Sequence, residues 1–283
     1  MNKINFSNSI LFLLCCILCS ACSNKNIATK SDDANSIASQ SNNANAIAAS
    51  NKKYKLVWAD EFTTKGAPDS TKWSYDIGTG DWGWGNNEKE YYTNRSQNVS
   101  IAKGFLKINA IKENYNGSAY TSTRMLTRDK FHFTYGKVEV RAKLPAGVGT
   151  WPAIWMLGSN IKTAGWPNCG EIDIMEHKGC EPNKIYSTLH YPKRFGDKAD
   201  GDSIMIKNVN TAFHKYSTEW TATSIKFYVD DVQVKSYIND SASPFHKDFH
   251  IILNVAMGGN FAGPLDPSIT KATMEVDYVR VYQ

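Results

Sequence analysis

Several absences narrow the problem before any motif is read. Four of the six cysteines lie between Cys15 and Cys22, leaving only Cys169 and Cys180, too few for the disulfide scaffold that staples many small secreted domains. The 32 basic and 27 acidic residues are scattered without a long run of either sign, so the net charge of +5 builds no basic patch of the kind nucleic acid requires. Past the N-terminus no apolar run approaches the ~20 residues of a membrane-spanning helix. No segment sustains a 3.6-residue apolar stripe over three turns, which argues against alternating strands and helices. There is no internal repeat. With 42% hydrophobic and 21% charged residues, wholesale disorder, collagen and coiled coil are excluded as well.

What the chain does have in excess is aromatic side chains: 8 Trp, 14 Tyr and 12 Phe, with Trp in clusters, a composition that suits the lining of a binding cleft. At the N-terminus, Lys3 precedes the apolar run Ile10–Leu18, which has the length of a signal-peptide core. The run ends in Cys19-Ser20-Ala21-Cys22, which resembles a bacterial lipoprotein cleavage box. Residues 1–21 are therefore expected to be a lipoprotein-type signal peptide, with lipid on Cys22 and the protein exported and anchored at an outer membrane or cell surface. Plain secretion is the alternative. Residues 22–53 are rich in Ser, Asn and Ala and hold no aromatic, a composition that buries too little to offset its ordering entropy and reads as a flexible tether. Composition changes at Tyr54, and residues 54–283 read as one domain.

That domain reads as strands. Period-2 alternation runs through residues 105–111, 137–144, 224–230 and 274–282, and Asp230-Asp231 looks like a hairpin turn between two such runs. Many short strands between Gly, Pro and Asn turns point to an all-β fold, a sandwich of two antiparallel sheets, with a closed barrel as the structural alternative. If residues 170–177 form one strand, Cys169 and Cys180 start more than ~20 Å apart, beyond the ~7 Å a disulfide tolerates. Both are expected to be buried, unpaired thiols.

The chemistry is concentrated in Cys169-Gly170-Glu171-Ile172-Asp173-Ile174-Met175-Glu176-His177. In a strand, Glu171 and Asp173 share one face and Ile172 and Ile174 the other. Glu176 arrives one residue late, and a β-bulge at Ile174-Met175 restores it to the face of Glu171. Without the bulge it would be an unpaired carboxylate in the core, at a cost of several kcal/mol. Three carboxyls on one face repel, which raises at least one pKa and lets one stay protonated while another is ionised. A retaining glycosidase uses that division of labour, with a nucleophile and an acid/base about 5–5.5 Å apart. A solvated acidic face or a metal site is the competing reading, and metal is disfavoured because His177 should face opposite Glu176. Nearby, Trp151 and Trp155 fall on one face of an extended segment, and Trp166-Pro167 precedes the acids. Indole faces stack on the C–H faces of pyranose rings, although core packing would equally account for some of these tryptophans.

The segments Trp151–Gly158 and Trp166–His177 resemble glycoside hydrolase family 16, in its laminarinase-like branch, which carries the extra residue, here Met175, between the second and third acids. Further matching pieces are Trp58–Phe62, Asn86–Thr93, Tyr135–Arg141, Leu253–Gly259 and Val276–Tyr282. The resemblance implies a β-jelly-roll sandwich with a concave substrate cleft, and retaining endo-hydrolysis of β-1,3-glucosidic bonds in laminarin-type β-glucans without a catalytic cofactor. It implies Glu171 as nucleophile, Glu176 as general acid/base and Asp173 as the auxiliary acid. By the same resemblance Trp151, Trp155 and Trp166 line sugar subsites, and Asn87, Arg124 and His190 contact sugar hydroxyls. His190 would otherwise be a structural histidine and Arg124 a surface ion-pair partner. The resemblance also implies a structural Ca²⁺ held by Glu61, Asp277 and the carbonyl of Gly104, hard oxygen ligands that suit the ion. The expected partner is a β-glucan polysaccharide, met by a monomer, with no nucleic acid and no membrane contact beyond the lipid anchor. A mixed-linkage β-1,3-1,4-glucanase, a marine galactan hydrolase and a non-catalytic β-glucan-binding protein remain alternatives of the same fold.

Overall fold

The computed structural model of the protein describes residues 54–283. The expected signal peptide, Cys22 and the tether lie outside the described residues. Seventeen strands occur among the described residues: β1 (Leu56–Asp60), β2 (Ser74–Asp76), β3 (Glu90–Tyr92), β4 (Val99–Ala102), β5 (Phe105–Tyr115), β6 (Ser118–Ser122), β7 (Arg124–Leu126), β8 (Gly136–Lys143), β9 (Thr150–Gly158), β10 (Glu171–His177), β11 (Lys184–His190), β12 (Asp200–Met205), β13 (His214–Trp220), β14 (Ser224–Val229), β15 (Val232–Ile238), β16 (Phe249–Met257) and β17 (Lys271–Tyr282). They form two sheets. The back sheet runs β15-β14-β13-β8-β17-β5-β6-β3, with β1 on β17 and β4 on β5; the front sheet runs β12-β11-β10-β9-β16-β7-β2. All pairs are antiparallel except β3 with β6. Two sheets face to face, not a closed barrel, is the arrangement the alternating pattern calls for.

The core fills the space between the sheets. Period 2 decides which residues enter it. On β11, Ile185, Ser187 and Leu189 are buried while Tyr186, Thr188 and His190 point away from the core. The same parity on β14 buries Ile225, Phe227 and Val229. Asp230 and Asp231 turn the chain into β15 with φ of 48° and 67°, the pair of positive values a two-residue hairpin of matching twist demands. β9 and β16 lie at the middle of the front sheet and are buried throughout. One face of β9, with Ile154 and Met156, belongs to the core, and the other, with Trp151, Ala153, Trp155 and Leu157, forms the floor of a cleft.

One sequence expectation needs correction here, and a second meets a competing arrangement. Cys169 is buried and unpaired, but Cys180, also unpaired, is exposed, because it sits in the turn after β10, where Glu181 N–H bonds back to the Lys178 carbonyl. The expected calcium ligands are the second case. β1 and β5 pair end to end along one edge of β17, with Asp60 opposite Val279 and Leu106 opposite Val276, so the backbone brings Glu61 and Gly104 to the neighbourhood of Asp277. The donors are hard oxygens that suit Ca²⁺ in kind. Both carboxylates, however, are taken by guanidinium groups: Arg280 donates twice to Glu61 at 2.8 Å, and Arg141 donates to Asp277 at 2.6 Å. As arranged, this is a pair of ion pairs and not an oxygen cage.

Candidate active site

The bulge at Ile174-Met175 positions the acids. Against β9, Asp173 pairs with Trp155 and Met175 with the next residue, Ile154; against β11, Asp173 pairs with Thr188 and Glu176 with Tyr186. Ile174 and Met175 thus oppose the single residue Ser187, whose Oγ donates to the Ile174 carbonyl at 3.0 Å. Both bulged side chains are fully buried in the core, which leaves Glu176 on the cleft face with Glu171 and Asp173. Gly170, at φ +80°, immediately precedes the strand; a Cβ there would press on Phe249, Pro244 and Phe245 at 3.0–3.2 Å. His177 faces inward as expected, its Nδ1 2.9 Å from the Lys184 carbonyl.

Each acid has a different set of partners. Glu171 Oε2 accepts from Trp166 Nε1 at 3.0 Å, while its Oε1 faces His190 Nε2 at 3.7 Å. Glu176 accepts from Trp151 Nε1 at 3.1 Å and from Thr188 Oγ1 at 3.2 Å. Asp173 lies between them, 4% exposed, with Oδ2 3.4 Å from His190 Nε2. Burial raises all three acids above their ordinary values. For Asp173 the fields of Glu171 and Glu176 add to burial and push it well up, whereas His190, Arg124 and the Trp166 N–H oppose the rise at Glu171. Three raised carboxyls this close titrate as one coupled cluster, and their protons leave in steps. Burial disfavours a charged His190, but its close approach to Asp173 and the surrounding carboxylates outweigh that and lift the imidazole to about 9.

The cleft has a volume of about 960 Å³ and is lined from Arg124 on β7 to Gly201 on β12. That is six strands, or ~24 Å at a strand spacing of ~4.8 Å, a reach that suits a polymer better than a single sugar. Arg124 is not a surface ion-pair partner: its guanidinium is sandwiched between Trp84 and Trp155 at 4.6 and 4.8 Å from the ring centroids, with Asp76 at 3.2 Å. Trp151 and Trp155 are each only 9% exposed and Trp166 is 45% exposed, so Trp166 offers the open ring face. Trp155 Nε1 donates to Asn254, Asn254 to Tyr92, and Tyr92 to Glu88, an unbroken chain from the floor to the far wall.

Of the residues expected to line the cleft, Glu171, Asp173, Glu176, Trp151, Trp155, Trp166, Arg124 and His190 all do. Asn87 does not. At φ 59° it turns out of the wall and accepts from Lys89, and its neighbours Asn86 and Glu88 line the cleft instead. Sequence reasoning also passed over Tyr186 and Thr188, which the period-2 alternation back from His190 along β11 would have supplied. Asn254 lay in a matching segment without a role. A possible metal set, Glu171, Asp173 and His190, has ligand atoms within 4.8 Å of one another; His190, brought across from β11, takes the place that His177 could not fill. When the ring is neutral, the Gly196 N–H, 3.3 Å from His190 Nδ1, uses the lone pair on that nitrogen and leaves the ring proton on Nε2; when it is charged, both nitrogens carry protons. In either state Nε2 is a donor aimed at the carboxylates, not a metal ligand.

Comparison with known proteins fits this geometry. The model for glycosyl hydrolases family 16 matches residues 80–280. The chain belongs to glycosyl hydrolase family 16. Within the family it is 44% identical over 247 residues to a "Beta-glucanase" of Rhodothermus marinus, covering 81% of this chain and 85% of that protein. It is 38% identical over 250 residues to a "Glucan endo-1,3-beta-glucosidase" of Cryptopygus antarcticus, covering 80% of this chain and 90% of the relative. Among solved structures, the laminarinase from Rhodothermus marinus superposes with a TM-score of 0.77 at 43% identity, covering 81% of this chain and 97% of that one.

Proposed function

We propose that this family 16 hydrolase cleaves β-1,3-glucosidic bonds within laminarin-type β-glucans, with retention of anomeric configuration. The observation that carries the proposal is the bulge at Ile174-Met175, which sets Glu176 on the cleft face with Glu171 and Asp173. The family relatives named as a laminarinase and as a glucan endo-1,3-β-glucosidase support the linkage.

In the first step Glu171, ionised and steadied by the Trp166 N–H, attacks the anomeric carbon while Glu176 protonates the leaving oxygen. A covalent glycosyl-enzyme forms. In the second, Glu176 takes a proton from water as the water displaces Glu171, and both carboxyls return to their starting states. Asp173, whose protonated form the cluster favours, can hydrogen-bond to Glu171 and tune its basicity. The donors fixed on Glu171 and Glu176 by Trp166, Trp151 and Thr188 hold these carboxylates oriented toward an oxocarbenium-like transition state. No step requires a cofactor. Incubation with laminarin, mixed-linkage β-glucan and agarose, reading reducing ends and product sizes, tests the assignment. Short oligosaccharides appearing from laminarin support it, and cleavage of agarose alone would transfer the specificity to a galactan.

Two further parts of the reading concern the protein around the site. Export and a lipid anchor at Cys22 rest on the sequence of residues 1–22; Cys22→Ala should move the protein from the membrane to the soluble fraction. Structural Ca²⁺ near Glu61, Gly104 and Asp277 is supported by their convergence in register, and it requires the ion to displace Arg280 and Arg141.

A further inference from the structure

Trp166 is the hydrogen-bond donor to Glu171, yet it is 45% exposed and stands on the connection before β10, outside the sheet. A half-exposed indole is not oriented by the core. Two rings hold it: Phe195 at 5.3 Å with an interplanar angle of 76°, and His190 at 5.9 Å. The edge-to-face geometry with Phe195 is a favourable aromatic arrangement.

Phe195 is itself aimed by its backbone. Tyr191 and Arg194 exchange both backbone hydrogen bonds at 2.9 Å around Pro192-Lys193, a tight hairpin with Lys193 at φ 70°. That hairpin returns the chain over the cleft, and Phe195 leaves it extended at φ −150°, ψ 165°. Gly196, at φ 56°, then turns so that its N–H donates to His190 Nδ1 at 3.3 Å. The next turn is closed by Lys198 N–H to the Phe195 carbonyl at 3.1 Å. Phe195 is 42% exposed at the cleft wall, so its ring is free to face the Trp166 indole.

We propose that Phe195 is a positioning residue for the proposed nucleophile: its ring holds the Trp166 indole in the orientation that donates to Glu171, while the adjacent Gly196 N–H seats the same loop on His190. The inference rests on the assignment of Glu171 as nucleophile. The rival role for Phe195 is a simple stacking platform for the leaving part of the sugar chain. The two roles differ in what they move. Positioning acts on Glu171 and so on kcat and the acidic limb of the pH profile, because losing a donor to a carboxylate raises its pKa. A platform acts on substrate binding and so on KM.

The test compares the full-length protein with Phe195→Ala, Phe195→Tyr, Trp166→Phe and the Phe195→Ala/Trp166→Phe double variant. Laminarin kinetics are read together with the ¹⁵N-indole resonances, that of Trp166 being identified by its loss in Trp166→Phe. Phe195→Ala is expected to lower kcat between about tenfold and a hundredfold with KM little changed, and to move the acidic limb to higher pH. Phe195→Tyr is expected to restore both, and the double variant to be no worse than Trp166→Phe alone. The Trp166 N–H resonance should follow the titration of Glu171 in the parent and lose that dependence in Phe195→Ala. An unchanged Trp166 resonance, additive losses, or a rise in KM at constant kcat would each overturn the inference. An inactive parent would count against the proposed function, and the resonance would still decide whether Phe195 holds the indole.

Discussion

Asp173 is the residue whose state the rest of the cluster sets. It is buried between two other carboxyls and pushed well above its ordinary value by burial and by Glu171 and Glu176, which favours its protonated form as a donor to Glu171. Replacing it by Ala removes that donor. The acidic limb of kcat/KM should then move to higher pH, as Glu171 ionises less readily, and kcat should fall about 10- to 100-fold through loss of the tuning hydrogen bond. A pH–rate series on Asp173→Ala reads both, and a limb that moved to lower pH would contradict this account of the cluster. Glu176→Gln should spare aryl glycosides whose leaving group needs no protonation while abolishing hydrolysis of laminarin, a comparison that isolates the proton-donating role. At this scale the sequence was informative where chemistry is local. The spacing of Glu171, Asp173 and Glu176 reveals which residues need a common face. The partner that matters to two of them, His190, is reached only through the register of β10 against β11, where Glu171 lies opposite His190, and no local pattern contains that register. Asn87 shows the converse: it belongs to a matching motif, but a left-handed backbone turns it away.

Strand β10 works because its bulge has two apolar residues to bury. Ile174 and Met175 are both fully inside, so the irregularity that re-aims Glu176 is stabilised by the core beneath it. Met175→Ala should lower stability by about 2–5 kcal/mol, the usual range for truncating a buried Met, measured by guanidinium denaturation. Stability equal to the parent's would mean that the bulge does not depend on core packing. The bulge was legible because two periodicities conflict across it, 171 to 173 in step and 173 to 176 out of step. Strands such as β14 and β17 were legible for the same reason, each having one dry face. The short strands β2, β3 and β7 span three residues each, too few to display a period, and their place in the sheets is decided by tertiary pairing. The 191–199 loop that carries Phe195 was likewise invisible, since nothing in its composition shows where a hairpin returns.

At the scale of the whole molecule, a buried acid outside the catalytic cluster ties stability to pH. Glu90 is 1% exposed, accepts from Met257 N–H at 2.6 Å, and is pushed well above its ordinary value by burial and by Glu88. A carboxyl raised in the folded state contributes stability that is complete below its unfolded pKa and is lost as pH rises through its folded pKa. Glu90→Gln, which keeps the shape and the acceptor, should therefore gain in Tm relative to the parent as pH climbs from 5 to 8, and a difference independent of pH would contradict the assignment. If Ca²⁺ displaces the arginines at Glu61 and Asp277, saturating ion at a hundred times its Kd should add about 2.7 kcal/mol of stability that EDTA removes; no change in Tm would leave these residues as ion pairs only. The fold, its cleft and its acids converge on one reaction, and its stereochemistry reports it most directly. Proton NMR of laminarin during the first minutes of hydrolysis should show the β-anomer accumulating at new reducing ends, with Glu171→Gln giving no signal. An α-anomer as first product, or full activity in Glu171→Gln, would contradict double displacement through Glu171.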